Sequence, residues 1–254
     1  MMWRRLLERC GPFLYRHRTF LLPGLLLLLL AGFKPLVPRG SARLDSLLDL
    51  AGLMVALIGQ GLRAAVIGYV YIRRGGKDGK AYAEDLVTEG LFAHARNPLY
   101  VGNLLILFGL LIMFNSPAGY VVAVPVLLFF YAAIVASEEA YLRGRFGAAF
   151  DDYCRRAPRW IPDFRGLGES IAGMRFNWPR LVRKEYGSAF AWIAAAILLR
   201  IWEMRTLPPY AAWRPYMIWH AVPLGLAIAL WAVARFMKKK RMLTDRPAFS
   251  ATRG

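Results

Sequence analysis

At 254 residues the chain could be one soluble domain or a bundle of membrane spans; its 57% hydrophobic content, with apolar blocks set between charged ones, selects the second. The formal net charge of +18 would suit nucleic acid in a soluble protein. Here the Lys and Arg residues flank apolar runs and set their orientation, so a nucleic-acid partner is excluded. Cys10 and Cys154 fall in segments assigned to the cytoplasmic side, and with His17, His94 and His220 they form no cluster at metal-ligand spacing, so neither a disulfide nor a metal site is expected.

Met1–Arg18 reads as a basic interfacial segment carrying Trp3, Phe13 and Tyr15, followed by a first span over Phe20–Val37 with Lys34 snorkelling near its end. The basic start and apolar core resemble a signal peptide, but Pro23 interrupts the core and no small-x-small cleavage site follows cleanly. Asp45–Ile72 is a second span containing Gln60 and Arg63. A charge inside a span is costly, so Arg63 either faces a polar cavity or snorkels to an end. Arg73–Ala95 reads as a polar connector. Its Gly75-Gly76-Lys77-Asp78-Gly79-Lys80 fails the phosphate-loop spacing, because Arg74 stands where glycine is needed and Ala81 follows Lys80. No G-x-G-x-x-G occurs, which leaves a Rossmann cofactor domain without support.

Between Leu99 and Ser137 the chain is almost uncharged and is broken at Asn115-Ser116-Pro117. Runs of about 20 apolar residues cross a bilayer as helices, so this stretch reads as a helical hairpin of two spans with both polar ends on one side. Glu138–Tyr153 continues as a cytoplasmic amphipathic helix, with Leu142, Phe146, Phe150 and Tyr153 at helical spacing. Arg155–Lys184 is basic and aromatic, suited to lie along headgroups. Ser188–Met204 and Tyr216–Met237 are a fifth and a sixth span, joined by a short loop with Pro208, Pro209 and Trp213. The segments on the termini's side carry 26 Lys and Arg against 5 on the other, so both termini are placed in the cytoplasm. The fold class is therefore an all-α integral membrane protein of about six transmembrane helices. It divides into a basic N-terminus and first span (1–44), a core (45–164), and an interfacial segment with two further spans (165–254).

The chemistry is expected where the hairpin's two ends emerge. Asn97 is a favoured helix N-cap and Pro98 suits the first turn. The N–H groups that follow, with Arg96 beside them, attract an anion, and Gly102 permits close approach to the backbone. Two readings stand here: a cofactor site, or a capped membrane helix that meets lipid phosphate. Glu138 and Glu139 sit at the opposite helix end, where their charge opposes the helix dipole and calls for a cation or donor. Arg155 and Arg156 are available as partner charges or as the anchor of an anionic substrate; salt bridges from the two glutamates to Arg143 and Arg145 are the plain alternative.

The ordered pattern T-E-G-L-F-x-H-x-R-N-P-L-Y-x-G, an apolar hairpin, then E-E-x-x-L-x-x-x-F-G-x-x-F-x-x-Y-x-x-x-x-P-x-x-x-P resembles the isoprenylcysteine carboxyl methyltransferase family. That family stands in a wider membrane superfamily with the phospholipid N-methyltransferases. The resemblance covers roughly Gln60–Pro162 and leaves out the first and last spans. It implies an enzyme that binds S-adenosylmethionine without a Rossmann fold and methylates a lipophilic or lipid-linked acceptor. It places Arg96, Asn97, Pro98, Tyr100, Gly102 and Glu139 at the cofactor, and Arg156 and Glu138 as the catalytic candidates, with Arg156 near the methyl-accepting group. The preferred reaction is carboxyl O-methylation of isoprenylcysteine type. The alternatives are N-methylation of a phospholipid amine and a non-catalytic lipid-binding scaffold; a membrane reductase has no nicotinamide fingerprint behind it. Two departures stand out: the family often has R-H-P where this chain has Arg96-Asn97-Pro98, and tyrosine where it has Phe150. Compact loops suggest a bacterial inner membrane.

Overall fold

A computed structural model describes residues 2–70, 74–77, 80–83, 85–172 and 174–244. Its helices are α1 (Met2–Gly32), α2 (Ala42–Tyr69), α3 (Leu91–His94), α4 (Pro98–Phe114), α5 (Pro117–Phe146), α6 (Ala148–Arg156), α7 (Leu167–Ala172), α8 (Trp178–Thr206) and α9 (Ala221–Lys239). Two 3-10 segments, Pro38–Gly40 and Pro208–His220, join them, with a short antiparallel ribbon of β1 (Arg74–Lys77) and β2 (Lys80–Ala83). Among the described residues five helical stretches are long and apolar enough to cross a membrane, and α4, at 17 residues, is a shorter apolar helix. This is an all-α membrane protein. Side chains such as Phe20, Leu28, Val121 and Ile218 stand exposed along these stretches, as lipid-facing positions do.

Four segments differ from their sequence reading. The basic start and the first span are one helix that runs through Pro12 and Pro23. In an apolar surround every backbone group outside a helix lacks a partner, so the helix persists through both prolines. Lys34 lies beyond its end. Arg73–Ala95, expected as a connector, carries the β ribbon, because alternate backbone groups of its two arms pair. The expected continuous helix over Glu138–Tyr153 breaks at Gly147, whose φ of +52° is open to glycine and costly for other residues. Across that break Leu142, Phe150, Tyr153 and Ala157 still form one buried cluster. The basic stretch 155–184 already contains α7 and the first turns of α8, with Asn177 capping the Arg180 amide at 2.9 Å. Ile72, the expected end of the second span, lies outside the described residues.

The chain divides into two compact units. The first gathers residues 1–34, 70–101 and 116–173, and packs α1 along α5. Ser116 opens α5 by accepting from the Gly119 amide at 3.3 Å and donates to the Lys34 carbonyl at 2.8 Å. The second unit gathers 35–69, 102–115 and 174–254. Within it α2 meets residues 102–115 of α4 through facing glycines: a Cβ on Gly59 would lie 2.6 Å from the Gly102 carbonyl oxygen. Small residues of this kind let membrane helices approach backbone to backbone.

Leucine at Gly109 is therefore expected to force the two helices apart and to cost about 1–3 kcal/mol. Its Cβ would run onto the Gly52 carbonyl and within 2.8 Å of the Ala56 Cβ. Gly61→Leu, where nothing lies within 4 Å of the new Cβ, is the control. Thermal unfolding in detergent reads the difference, and equal midpoints for the two variants would refute the seam.

Candidate functional site

In the first unit α3 ends at Ala95 in extended backbone, and Arg96-Asn97 leads into α4. The Asn97 carbonyl accepts from the amides of Tyr100 and Val101 at 3.0 and 3.1 Å, which starts the helix. Its side chain takes a role the sequence did not suggest. The amide nitrogen donates to the Arg159 carbonyl at 3.2 Å and so ties the chain leaving α6 to the entrance of α4. That tie is one of several. The Arg96 amide donates to the Pro158 carbonyl at 2.8 Å and the Asp163 amide to the His94 carbonyl at 3.0 Å. Tyr153 Oη donates to the Phe92 carbonyl at 2.8 Å. The buried His94 ring pairs through Nδ1 with the Asp163 carbonyl and through Nε2 with Ser170 Oγ at 2.8 Å.

Against this frame α5 presents two buried carboxylates, 6% and 4% exposed, with different partners. Glu138 accepts from Tyr100 Oη at 3.0 Å, and the Tyr100 ring rests 5.8 Å from that of Tyr131. Glu139 bridges two arginines. Arg96 Nη1 lies 3.1 Å from its Oε1, and Arg159 forks onto it, with Nε 3.1 Å from Oε1 and Nη2 on Oε2. Such bidentate pairs are strong and directional. Arg96 also donates to Cys154 Sγ at 2.7 Å, while its Nε is buried without a hydrogen-bond partner. Two guanidinium groups on one carboxylate leave this trio with a net charge of +1, set beside the positive end of α4.

The structure thus brings together six of the eight residues selected from the sequence: Arg96, Asn97, Tyr100, Glu138 and Glu139, with Pro98 opening α4 between Asn97 and Tyr100. Gly102 faces elsewhere. It packs in the second unit against the Gly59 carbonyl, and a Cβ there would lie 2.6 Å from Arg63 Cγ. Arg156 is exposed on the last turn of α6. Arg143 pairs with Asp151 at 2.7 Å, and Arg155 pairs with Asp152. Arg159, Cys154 and the His94–Ser170 pair were missed. The sequence shows three arginines within five positions, but only the turn at Pro158 decides which one reaches Glu139.

Arg63 is paired, with its side chain 12% exposed. In the second unit its Nε donates to Glu185 Oε2 at 3.0 Å, its Nη groups reach Glu185 and Asn103, and Gln60 joins Glu185 to Trp192.

Residues 49–149 match the phospholipid methyltransferase family. The protein-S-isoprenylcysteine O-methyltransferase of Schizosaccharomyces pombe is 32% identical over 77 residues, 30% of this chain and 33% of that protein. Protein-S-isoprenylcysteine O-methyltransferase B of Arabidopsis thaliana is 34% identical over 77 residues, 30% of this chain and 39% of the relative. The cobalt-zinc-cadmium resistance protein CzcN of Cupriavidus metallidurans is 38% identical over 77 residues, 30% of this chain and 35% of the relative. The chain spans about a third of the length of each of these relatives, and no solved structure matches it. The resemblance drawn from the motifs is therefore met, over this region.

Proposed function

From the phospholipid methyltransferase match over residues 49–149, we propose that the protein is a membrane methyltransferase that uses S-adenosylmethionine on a lipophilic acceptor, by preference an isoprenylcysteine-type carboxylate. The observation that carries the reading is the Arg96–Glu139–Arg159 bridge at the entrance of α4. The buried Arg96 Nε without a partner fits an anionic group of the cofactor. Arg96 and Arg159 would hold the cofactor's carboxylate, and Glu139, with Glu138 aligned by Tyr100, its hydroxyls and positive charge. When bound, S-adenosylmethionine supplies an electrophilic methyl group.

The protein's part is alignment and exclusion of water. The ties from residues 158–170 to His94, Arg96 and Asn97 hold the two arginine-bearing segments in register before any ligand arrives. Arg156, exposed beside them, is assigned to an anionic group of the acceptor. An ionised carboxylate acceptor needs no base, and none is required of Glu138. The proposed core is 45–164, with the cofactor entering from the cytoplasm of a bacterial cell and both termini on that side, as the distribution of basic residues suggests.

The matched family's description favours a second reading, N-methylation of a phospholipid amine. Purified protein in lipid nanodiscs, given methyl-labelled S-adenosylmethionine and a membrane extract, separates the two. Base-labile label is expected for a methyl ester, and base-stable label in phospholipid would select the amine. Absence of transfer to any lipid-soluble product would remove the enzyme reading altogether.

A further inference from the structure

In the second unit, away from the bridge just described, three carboxylates converge from two helices. Asp45 and Asp49 lie four residues apart on one face of α2, and Glu203 stands near the end of α8; one oxygen from each lies within 4.8 Å of the others. Arg200 Nη1 approaches Asp49 Oδ2 at 2.7 Å and Glu203 Oε2 at 3.6 Å, and Arg200 Nη2 donates to Ser46 Oγ at 2.8 Å. Tyr210 Oη donates to Asp45 Oδ2 at 2.7 Å, and the Tyr210 ring lies 4.4 Å from the Arg200 guanidinium carbon. Tyr210 itself packs in a buried cluster with Ala42 and Met204.

Two observations point to a ligand. Ionised, the three carboxylates against Arg200 carry a net charge of −2 in a buried place, and uncompensated buried charge is strongly unfavourable. Glu203 is only 1% exposed, yet neither of its oxygens accepts a hydrogen bond, and neither do those of Asp49. We propose that Asp45, Asp49 and Glu203 form a binding site for a hard divalent cation of calcium size. One such ion brings the cluster and Arg200 to neutrality, and an all-oxygen donor set suits it. Calcium–oxygen distances are about 2.3–2.6 Å, so two oxygens on one calcium ion sit up to about 4.6–5.2 Å apart, which spans the observed spacing. Magnesium demands near-ideal octahedral geometry at about 2.0–2.1 Å and gives up its waters reluctantly, so a fixed cluster of protein oxygens suits it less well.

Equilibrium dialysis of the full chain in nanodiscs against Ca²⁺ is expected to give one bound ion per chain, with Mg²⁺ competing at least tenfold less well. Tb³⁺ on the wild-type protein should show luminescence sensitised by the adjacent Tyr210 that Ca²⁺ displaces, a readout that needs no variant. Glu203→Gln should weaken Ca²⁺ binding at least tenfold, and Asp49→Asn serves if that variant does not fold. Asp152→Asn, at an exposed carboxylate paired with Arg155, should leave binding unchanged. A wild-type protein without stoichiometric Ca²⁺ overturns the site in favour of carboxylates neutralised by protons. Ca²⁺ binding undiminished in the cluster variants overturns it in favour of ions held at the surface.

Discussion

Glutamine at position 139 is expected to weaken S-adenosylmethionine binding by about 1.5–3 kcal/mol, roughly ten- to more than a hundredfold in dissociation constant. Glu139 is the counter-charge of both Arg96 and Arg159, and its side chain is 5% exposed. The amide keeps the shape of the carboxylate but not its charge. Arg96 then keeps at most a neutral amide oxygen and the Cys154 sulfur as partners, and Arg159, half exposed, loses its bidentate carboxylate. Two effects add: the arginines lose their fixed positions, and the cofactor's positive groups lose their carboxylate. Calorimetric titration of the purified variant measures the sum. Arg156→Ala in the same assay should bind the cofactor as the wild type does while turning over slowly at saturation, if the proposed assignment of Arg156 to the acceptor holds. Wild-type affinity in Glu139→Gln would detach the bridge from the cofactor.

The second large effect is on stability. Glu185→Ala is expected to cost about 3–5 kcal/mol, because it strands the Arg63 guanidinium, 12% exposed, among apolar helices with Asn103 alone. The cost arises from leaving a charge, not from losing an attractive pair. Replacing Arg63 and Glu185 together by methionine and leucine should therefore recover most of the loss. Unfolding midpoints in detergent for the single and double variants decide this. A double variant as unstable as Glu185→Ala would mean that the hydrogen bonds to Gln60 and Asn103, rather than the charge, hold the helices.

Much of this architecture was legible because its signals are local. Apolar runs bounded by arginines mark the spans, Asn97-Pro98 marks the start of α4, and Ser116-Pro117 the start of α5; each needs only neighbouring residues to be read. Glu138 and Glu139 were visible as charges at the end of an apolar run that needed partners, although α5 itself carries on to Phe146. Their partners were not, since Arg155, Arg156 and Arg159 are chemically alike and the path of the chain after α6 decides among them. Asn97 shows the same limit: its residue type suggested a cap, whereas the chain 62 residues on supplies the carbonyl its side chain takes. Asp45 and Asp49 already share a helix face in the sequence, but Glu203 joins them from more than 150 positions away.

The ties between residues 92–97 and 153–170 have a mechanical consequence. They fasten the two ends of a long excursion of the chain to each other at its base, much as a clasp closes a bracelet. A pull transmitted along the chain from α2 or from α8 meets these hydrogen bonds, loaded in parallel, before it reaches Arg96 or Glu139. Changes of length in the connectors that lead into residue 90 and out of residue 170 are thereby taken up before they reach the bridge. The charged centre thereby keeps its dimensions while those connectors vary.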